Sequence, residues 1–459
     1  MSTVVLGYAT YLPVHRLGPD SGLRTPRVVA SFDENSTTLA VAAARSLLRR
    51  ADPADVASVW LATTSPAYLD KTNASAVHAA LGLAPDVFAT DVVGSGRSTV
   101  GALRAASAQG GLVLAADVRV GRPGSSDERL GADAAGALLL GEGDGIADVL
   151  AQASVTDELL DRWRPPTSLV GAQWEERFGF ERYADLVRRA AGEALDRAGL
   201  AEADHVVVAS GNSAVVKRAG TLVKGARSTT TSPVGFSGAA DLLVALGAVL
   251  DTAGPGETIL LLSAVDGCDA LVLRTTDRLP ERRQPVPVRD QLAAGRPVPY
   301  TTYLSWRGLL ERELPRRPEP DRPAGPPSLR AAAWKFGFAG ARCTECGFVH
   351  LPPVPVCRGC GAVERMEAVP MAGARGTVAT YTVDRLAFSP SPPVVDVVVD
   401  FEGGGRCSVE VADADPATVT VGTEVEMTFR SLFVAGGVHN YFWKARVVPA
   451  GAVSAEEDA

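Results

Sequence analysis

Two kinds of hydrophobic segment are missing from this chain of 459 residues. No apolar run approaches the roughly 20 residues that a helix needs to cross a bilayer. The first residues, MSTVVLGYATYLPVHRL, lack the charged start and the apolar centre of a secretion signal. We therefore expect a cytoplasmic protein without a membrane partner.

An excess of positive charge is also missing. The chain has 45 lysines and arginines against 53 aspartates and glutamates, which gives a formal net charge of −8. A surface that binds nucleic acid needs basic residues to neutralise phosphates. The charge balance therefore argues against a nucleic-acid partner.

Cysteine is scarce, but four of the six cysteines form a single pattern. C-T-E-C is followed, after ten residues, by C-R-G-C, a spacing that brings two thiolate pairs to one tetrahedral Zn²⁺. The alternative is two disulfides, which would require an exported protein. Because the four cysteines leave no position open to water, we predict a structural zinc ion. Its ligands are Cys343, Cys346, Cys357 and Cys360.

Hydrophobic periodicity predicts a layered α/β architecture for residues 1–310. Short apolar runs predict strands, namely 3–6, 58–62, 111–115, 135–140, 205–209 and 258–263. Helical spacing predicts helices at 37–50, 183–198 and 238–252, and the last should be buried because it is almost wholly apolar.

The rest of the chain has a different composition. Residues 313–328 are rich in proline and arginine and predict an extended linker. Alternating segments beyond the cysteine pattern predict five short strands and a small closed barrel of the OB type. These segments are 377–383, 394–401, 407–411, 424–429 and 441–448, with a hairpin turn at 403–405.

Four segments resemble the hydroxymethylglutaryl-CoA synthase and 3-oxoacyl-carrier-protein synthase III branch of the thiolase superfamily. They are VLGYATYLPVHRL, DENSTTLAVAAAR, GADAAGALLL and YLSWRGLL, which begin at Val5, Asp33, Gly131 and Tyr303. The C-terminal part resembles the rubredoxin-like zinc ribbon and OB-fold family that accompanies acyl-CoA enzymes. The resemblance implies an α/β thiolase fold of two similar halves in five layers, then a zinc ribbon and a small all-β OB barrel. It also implies a homodimer formed through the thiolase-like domain.

The predicted domains follow from this resemblance. They are the thiolase-like halves 1–165 and 166–312, a linker 313–333, a zinc ribbon 334–365, an OB fold 366–450 and an acidic tail 451–459.

The resemblance also implies a catalytic set, from which this sequence departs. The family uses a cysteine nucleophile, a histidine and asparagines around the second substrate, and, in the synthase branch, a glutamate acid/base. The nucleophile position falls on Ser95, or on Gly96 in a second alignment, while Asn212 keeps an asparagine. The glutamate, histidine and later asparagine positions fall on Thr64, Ala209 and Phe236.

Other groups could take part in chemistry near these positions. Ser95 would need an adjacent base to react, and its alternative role is to cap a helix. Asp266, in AVDGCD, is a second candidate near the pocket floor. His205 is either a displaced base or a structural residue.

A basic cluster follows Asn212, in the region that resembles the family's contact with the phosphates of CoA. Cations there would pair with the nucleotide, and a solvated helix face is the alternative. The cluster comprises Lys217, Arg218, Lys224 and Arg227.

Two functions stay open. The first is a scaffold or acyl-CoA-binding subunit, a pseudoenzyme, in a multicomponent acyltransferase or thiolase assembly whose cysteine-bearing thiolase-like partner carries the chemistry. The second is a self-sufficient synthase-like or aldolase-type enzyme that makes or breaks C–C bonds on acyl-CoA without a cysteine. Tyr68, Asp266 or Ser95 would then supply acid/base groups.

Overall fold

The structure is a computed structural model that describes residues 3–23, 25–174, 176–223, 225–313 and 317–448. Lys224 and the predicted acidic tail lie outside the described residues. The chain forms two compact units, and the first ends at Leu310. The second begins at Glu311 and also includes Ala79–Gly82.

The strands described in the first unit are short. They are β1 (Val4–Tyr11), β2 (His15–Leu17), β3 (Arg27–Val29), β4 (Ser58–Thr63), β5 (Phe88–Val93), β6 (Gly111–Asp117), β7 (Ala134–Gly141), β8 (Ala147–Thr156), β9 (Arg162–Trp163), β10 (Ala172–Gln173), β11 (His205–Ala209), β12 (Ser228–Thr230), β13 (Thr258–Ser263), β14 (Gly267–Thr275) and β15 (Arg296–Val298).

Helices alternate with these strands. They are α1 (Ser36–Leu48), α2 (Ala74–Leu81), α3 (Ser98–Gln109), α4 (Ser126–Leu130), α5 (Glu176–Ala198), α6 (Ser213–Lys217), α7 (Ala219–Leu222), α8 (Asp241–Leu250), α9 (Val288–Ala293) and α10 (Tyr300–Trp306), with 3-10 turns at Pro19–Ser21, Pro53–Asp55 and Gly238–Ala240.

The main sheet is built from one strand pattern used twice. Its order is β12-β11-β13-β14-β8-β1-β7-β6-β4-β5. Starting from the centre, β1-β7-β6-β4-β5 and β8-β14-β13-β11-β12 share the same sequence of antiparallel and parallel pairs. The two halves join where Val4 and Val5 pair with Asp148 and Ala147. By sheet topology the second half therefore starts at Ala147, ahead of the predicted boundary at residue 166.

Helices complete the layers around this sheet. α1 packs on β7, β1 and β6, and α5 packs on β14 and β8. α8 packs on strands of both halves, β11 and β7, so it lies between them. A Cβ at Gly136 would come within 2.4 Å of Leu243 Cβ, which shows how closely α8 approaches β7. The apolar helix is buried as predicted, and the two halves form the expected five layers.

The start of α1 illustrates how local sequence fixes an element. Asn35 Oδ1 accepts hydrogen bonds from the backbone N–H groups of Thr37 and Thr38. Thr38 Oγ1 in turn accepts one from Asn35 N, at 2.9 Å. This capping box satisfies N–H groups that would otherwise have no partner at the helix start.

The second unit contains two small sheets. Its strands are β16 (Ala339–Cys343), β17 (Val349–His350), β18 (Met366–Pro370), β19 (Arg375–Asp384), β20 (Val394–Phe401), β21 (Arg406–Glu410), β22 (Glu424–Ala435) and β23 (Val438–Val447). The ribbon sheet has the order β17-β16-β18, and the other sheet has the order β21-β20-β19-β22-β23. Val411, just after β21, bridges to Ala445 of β23, which closes the predicted barrel. A 3-10 turn covers Pro416–Thr418.

Two details of this unit bear on the sequence predictions. The turn at 403–405 is a glycine hairpin, because all three residues have positive φ and Phe401 N donates to Gly405 O. The predicted linker is not wholly extended, since α11 (Gly325–Arg330) lies in it and α12 (Ala332–Lys335) begins in it. Prolines in the first turn of α11 cost no helical hydrogen bond there. No helix within the described ranges has both the length and the apolarity of a transmembrane span.

Candidate functional site

The four predicted zinc ligands converge in the second unit. Their sulfur atoms all lie within 4.8 Å of one another. Cys343 Sγ is 3.7 Å from Cys360 Sγ, and Cys346 Sγ is 3.5 Å from Cys357 Sγ. Tetrahedral zinc with Zn–S bonds of about 2.3 Å requires sulfur atoms about 3.8 Å apart. The donor set and its spacing therefore fit zinc.

Backbone turns hold the sulfurs in place. Gly347 N donates to Cys343 O and Gly361 N donates to Cys357 O, and both glycines have positive φ. Beside the turn, His350 lowers the pKa of Cys357 to about 5. A low pKa favours the thiolate, which is the form that binds a metal.

In the first unit, the positions that the resemblance marks as catalytic follow or end strands in both halves of the main sheet. Thr64 follows β4, Ser95 follows β5, Ala209 ends β11 and Phe236 follows β12. The carboxyl ends of parallel neighbours lie at one edge, which places Thr64 near Ser95 and Ala209 near Phe236. The two halves approach each other here, since a Cβ at Gly96 would come 3.3 Å from Gly238 O. We call this cluster of Thr64, Ser95, Ala209 and Phe236 the reaction end.

Asp117, at the end of β6, ties two of these loops together. Its fully buried carboxylate accepts hydrogen bonds from Thr64 N and Thr64 Oγ1, at 2.7 and 2.9 Å, and from Ala239 N at 2.6 Å. A Cβ at Gly238, where φ is +62°, would come 2.0 Å from Asp117 Oδ2. The sequence signal for this residue is an acid that ends the apolar strand GLVLAAD.

Phe236 is surrounded by cationic groups. The guanidinium carbons of Arg119 and Arg162 each lie 5.2 Å from the ring centroid. Its ring also approaches Gly211, where a Cβ would come 3.1 Å from Cζ. Burial lowers the pKa of Arg119, and the charges of Arg162 and Arg164 lower it further. An aromatic ring held by cation–π contacts thus stands at the position where the resemblance implies an amide donor.

Ser95 lies in a turn after β5. Its Oγ accepts a hydrogen bond from Arg97 N at 3.3 Å, and α3 begins three residues later. Within the described ranges, neither a histidine nor a carboxylate hydrogen bonds to this hydroxyl. The geometry is that of a local turn before a helix rather than that of an activated nucleophile.

Asn212 and His205 both have structural partners. Asn212 Oδ1 accepts from Ala214 N and Val215 N and so caps α6. His205 lies at the opposite end of β11 from Ala209, about 13 Å away. Its Nε2 is 2.8 Å from Glu257 Oε2. The structure therefore favours the structural alternative for His205.

Asp266 lies near the reaction end in a strained backbone conformation. Its φ is +49°, and its carbonyl accepts from Arg97 Nη1 at 2.7 Å. Burial raises the pKa of Asp161, and the charge of Asp266 raises it further. The two carboxyl groups therefore lie near each other.

Asp241, at the start of α8, is a site residue that the sequence did not single out. It is buried beside the turn after Phe236, and Ser237 N donates to its Oδ1 at 3.2 Å. Burial raises its pKa to about 7, which backbone hydrogen bonds from Ser237 and Ser210 partly counter. Ser237 and Ser210 directly follow Phe236 and Ala209, so this carboxyl lies next to two positions of the reaction end. The sequence signal that could have identified Asp241 is an acid at the start of an otherwise apolar helix.

A groove of about 760 Å³ lies beside the reaction end. Its lining includes Arg129, Arg177 and Lys217, with no acidic side chain among the described lining residues, and we call it the cationic groove. Gln173, also in the lining, accepts from Arg162 Nη2 at 2.7 Å. Because Arg162 also lies over Phe236, the groove adjoins the reaction end.

The predicted basic cluster divides in the structure. Lys217 lines the cationic groove, whereas Arg218 and Arg227 do not. The Arg218 guanidinium lies 4.4 Å from the centroid of Phe180. Arg227 forms an ion pair with Asp204 at 2.9 Å, and another with Glu257.

Comparison with known proteins agrees with this division into units. The model of the ChsH2 rubredoxin-like zinc ribbon domain matches residues 337–364, and that of the ChsH2 C-terminal OB-fold domain matches residues 368–430. The second unit is a ChsH2-type zinc ribbon and OB fold. This confirms the prediction made from the cysteine pattern and the strand pattern.

The first unit is similar to synthases. The hydroxymethylglutaryl-CoA synthase of Archaeoglobus fulgidus is 27% identical over 340 residues, which cover 67% of this chain and 99% of that protein. The enzyme of Pyrobaculum arsenaticum is 28% identical over 346 residues, 68% of this chain and 99% of that protein.

Solved structures agree on the fold. 3-Oxoacyl-(acyl carrier protein) synthase III, FabH, of Pseudomonas aeruginosa PAO1 superposes with a TM-score of 0.54 at 23% identity and covers 60% of this chain and 98% of its own. A hydroxymethylglutaryl-CoA synthase complexed with CoA gives a TM-score of 0.57 at 16% identity over 68% and 92% of the two chains. The first unit therefore has the thiolase fold, as expected.

Proposed function

We propose that this chain is an acyl-CoA-binding subunit that leaves acyl transfer to a partner protein. The observation that carries the proposal is a contrast within the thiolase-fold unit. The cationic groove is open and positively charged, whereas the adjoining reaction end lacks a cysteine and holds Phe236 among arginines.

The cationic groove suits a CoA thioester. Its volume lies within the range of about 300–1,000 Å³ that is typical of small-molecule sites. Arg129, Arg177 and Lys217 would pair with phosphates. Trp174, which is 63% exposed in the same lining, offers an indole face for the adenine ring. The similarity to a synthase structure complexed with CoA supports the same ligand.

The reaction end does not suit covalent acyl transfer. Thr64 Oγ1 donates a hydrogen bond to Asp117. The position where the resemblance implies a histidine is Ala209, which cannot activate Ser95. A serine hydroxyl without a base is a poor nucleophile at neutral pH. In this proposal the chain is a pseudoenzyme, and a cysteine-bearing thiolase-like partner forms the acyl intermediate.

The ChsH2-type unit fits a role within an assembly. A covalent connection to the thiolase-fold unit raises the effective concentration of each unit at a shared partner. The edge strand β5 favours a homodimer as well, because Phe88 and Val93 are 56% and 51% exposed along an unpaired sheet edge within the described residues.

Isothermal titration calorimetry with CoA and acetyl-CoA tests the proposal. We expect wild-type protein to bind both, and Arg177→Ala and Lys217→Ala each to weaken binding roughly tenfold through the loss of a charged hydrogen bond. Arg218→Ala is the matched control and should bind like wild type, because Arg218 lies outside the groove lining. The absence of CoA binding by folded wild-type protein would contradict the proposal.

A second candidate function is supported by Asp241. A carboxyl whose pKa is about 7 can both accept and return a proton near neutral pH. In a retro-aldol cleavage of a 3-hydroxyacyl-CoA, it would take the hydroxyl proton while the C2–C3 bond breaks. The electron pair would pass to the thioester as an enolate, which a proton at C2 then quenches. The products would be a carbonyl compound and a shorter acyl-CoA.

Chromatography of 3-hydroxyacyl-CoA incubations separates the two functions. The binding-subunit proposal expects no cleavage by this chain alone. Cleavage that disappears in Asp241→Asn, with CoA binding retained, would favour the enzyme.

A further inference from the structure

His350 is a buried histidine beside the zinc ligands that no part of the proposed function uses. It ends β17 and pairs with Ala341 of β16. Its side chain is only 4% exposed. The ring lies against Phe348, with ring centroids 4.7 Å apart. Strand pairing and burial hold the imidazole in a defined position.

The imidazole is directed at one zinc ligand. His350 Nε2 lies 3.5 Å from Cys357 Sγ, a normal distance for a hydrogen bond to sulfur. The same sulfur accepts from Gly359 N at 3.3 Å and is almost fully buried. Among the described residues, His350 is the only side chain, apart from the cysteines themselves, that hydrogen bonds to a ligand sulfur.

The negative charge of the zinc centre makes a hydrogen-bond donor at this sulfur favourable. Four thiolates around one Zn²⁺ carry a net charge of −2, and Cys357 bears its share in a buried position. An N–H donor disperses charge on the sulfur and fixes the ligand's direction. Groups that hydrogen bond to metal ligands typically change metal affinity by about 10- to 100-fold.

We propose that His350 is a positioning residue of the zinc centre, donating its Nε2–H to the Cys357 thiolate and thereby slowing zinc loss. The proposal concerns the ribbon's own residues and does not depend on CoA binding. In this arrangement the His350 imidazole carries its hydrogen on Nε2.

Zinc release to a chelator, measured with a colorimetric indicator on the full chain, tests the kinetic part. His350→Phe retains an aromatic ring without the donor, and we expect zinc loss to accelerate by about 10- to 100-fold. His350→Gln can donate from its amide and should recover part of the effect. Phe348→Leu is the matched control, because it removes the ring contact but keeps the donor, and its release rate should stay nearer that of wild type. Release from His350→Phe at the wild-type rate would overturn the proposal.

Spectroscopy of wild-type protein tests the hydrogen bond without relying on a variant that might not fold. In protein loaded with ¹¹³Cd and labelled with ¹⁵N, we expect a slowly exchanging proton on His350 Nε2 with a measurable coupling to the metal. A bare Nε2, or a proton without that coupling, would show that the imidazole does not donate to the Cys357 sulfur. A cobalt-substituted His350→Phe protein should also show a shifted sulfur-to-metal charge-transfer band.

Discussion

The zinc centre and the reaction end differ in how fold relates to chemistry. At the zinc centre, the four sulfurs that the chemistry requires are present and within 4.8 Å of one another. At the reaction end, the thiolase fold brings four positions together, but Ser95 and Phe236 stand where the resemblance implies a cysteine and an asparagine. A shared fold therefore predicts where a site lies, whereas the side chains decide whether it can react.

The largest expected effect concerns the zinc centre. Cys343→Ser should lose zinc and unfold the ribbon, because binding of structural zinc supplies on the order of 10–16 kcal/mol in comparable small modules. The thiolase-fold unit should stay folded. Metal analysis and limited proteolysis check both expectations, and Cys407→Ser, a buried cysteine outside the ligand set, is the control. A Cys343→Ser protein that retained all its zinc would contradict the assignment of the site.

An intermediate effect concerns Asp241. The pKa of Asp241 is about 7 in the folded protein and ordinarily 3.8. Between pH 3.8 and about 7, the folded protein therefore keeps a proton on Asp241 that the unfolded protein has released. Stability contributed by this group is therefore lost as pH rises from about 4 to about 7. The rise of this pKa from 3.8 to about 7 corresponds to a loss on the order of 4 kcal/mol by pH 8.

Asp241→Asn tests this expectation, because asparagine cannot ionise. We expect urea unfolding to show the variant more stable than wild type at pH 8 and similar to it at pH 4, with Asp185→Asn, an exposed carboxyl, as the control. An equal stability difference at both pH values would show that Asp241 does not titrate as described.

The smallest expected effect concerns Ser95. Ser95→Ala removes a hydroxyl whose described hydrogen bond comes from Arg97 N, so stability should change by less than about 1 kcal/mol. The acyl-transfer rate of the proposed assembly should be unchanged. A loss of several orders of magnitude in that rate would identify Ser95 as a nucleophile and remove the contrast between the two sites.

Local pattern was enough to predict much of the fold. Apolar runs located β6, β7 and β13, and the cysteine spacing located the zinc ligands. The edge strand β5 was missed because its exposed residues and Asp91 break the apolar pattern. Asp91 accepts hydrogen bonds from Asn73 N and Ala74 N, which is a structural role at the start of α2.

The reaction end was harder to predict because its contacts join distant parts of the chain. Asp117 bonds to Ala239, which is 122 residues away, and Arg162 reaches Phe236 from another loop. Such pairings depend on how the two halves pack, and neither periodicity nor spacing encodes them. The resemblance gave the positions, whereas only the structure showed Asp241 beside them.

Mass spectrometry of the purified chain after incubation with acetyl-CoA and longer acyl-CoA thioesters tests whether this chain leaves acyl transfer to a partner. A cysteine-bearing thiolase-like protein that copurifies with the chain should be included in a parallel incubation. We expect this chain to keep its unmodified mass while any acyl group appears on the partner. A stable acyl adduct on this chain alone would reveal a working nucleophile at the reaction end and overturn the proposed binding role.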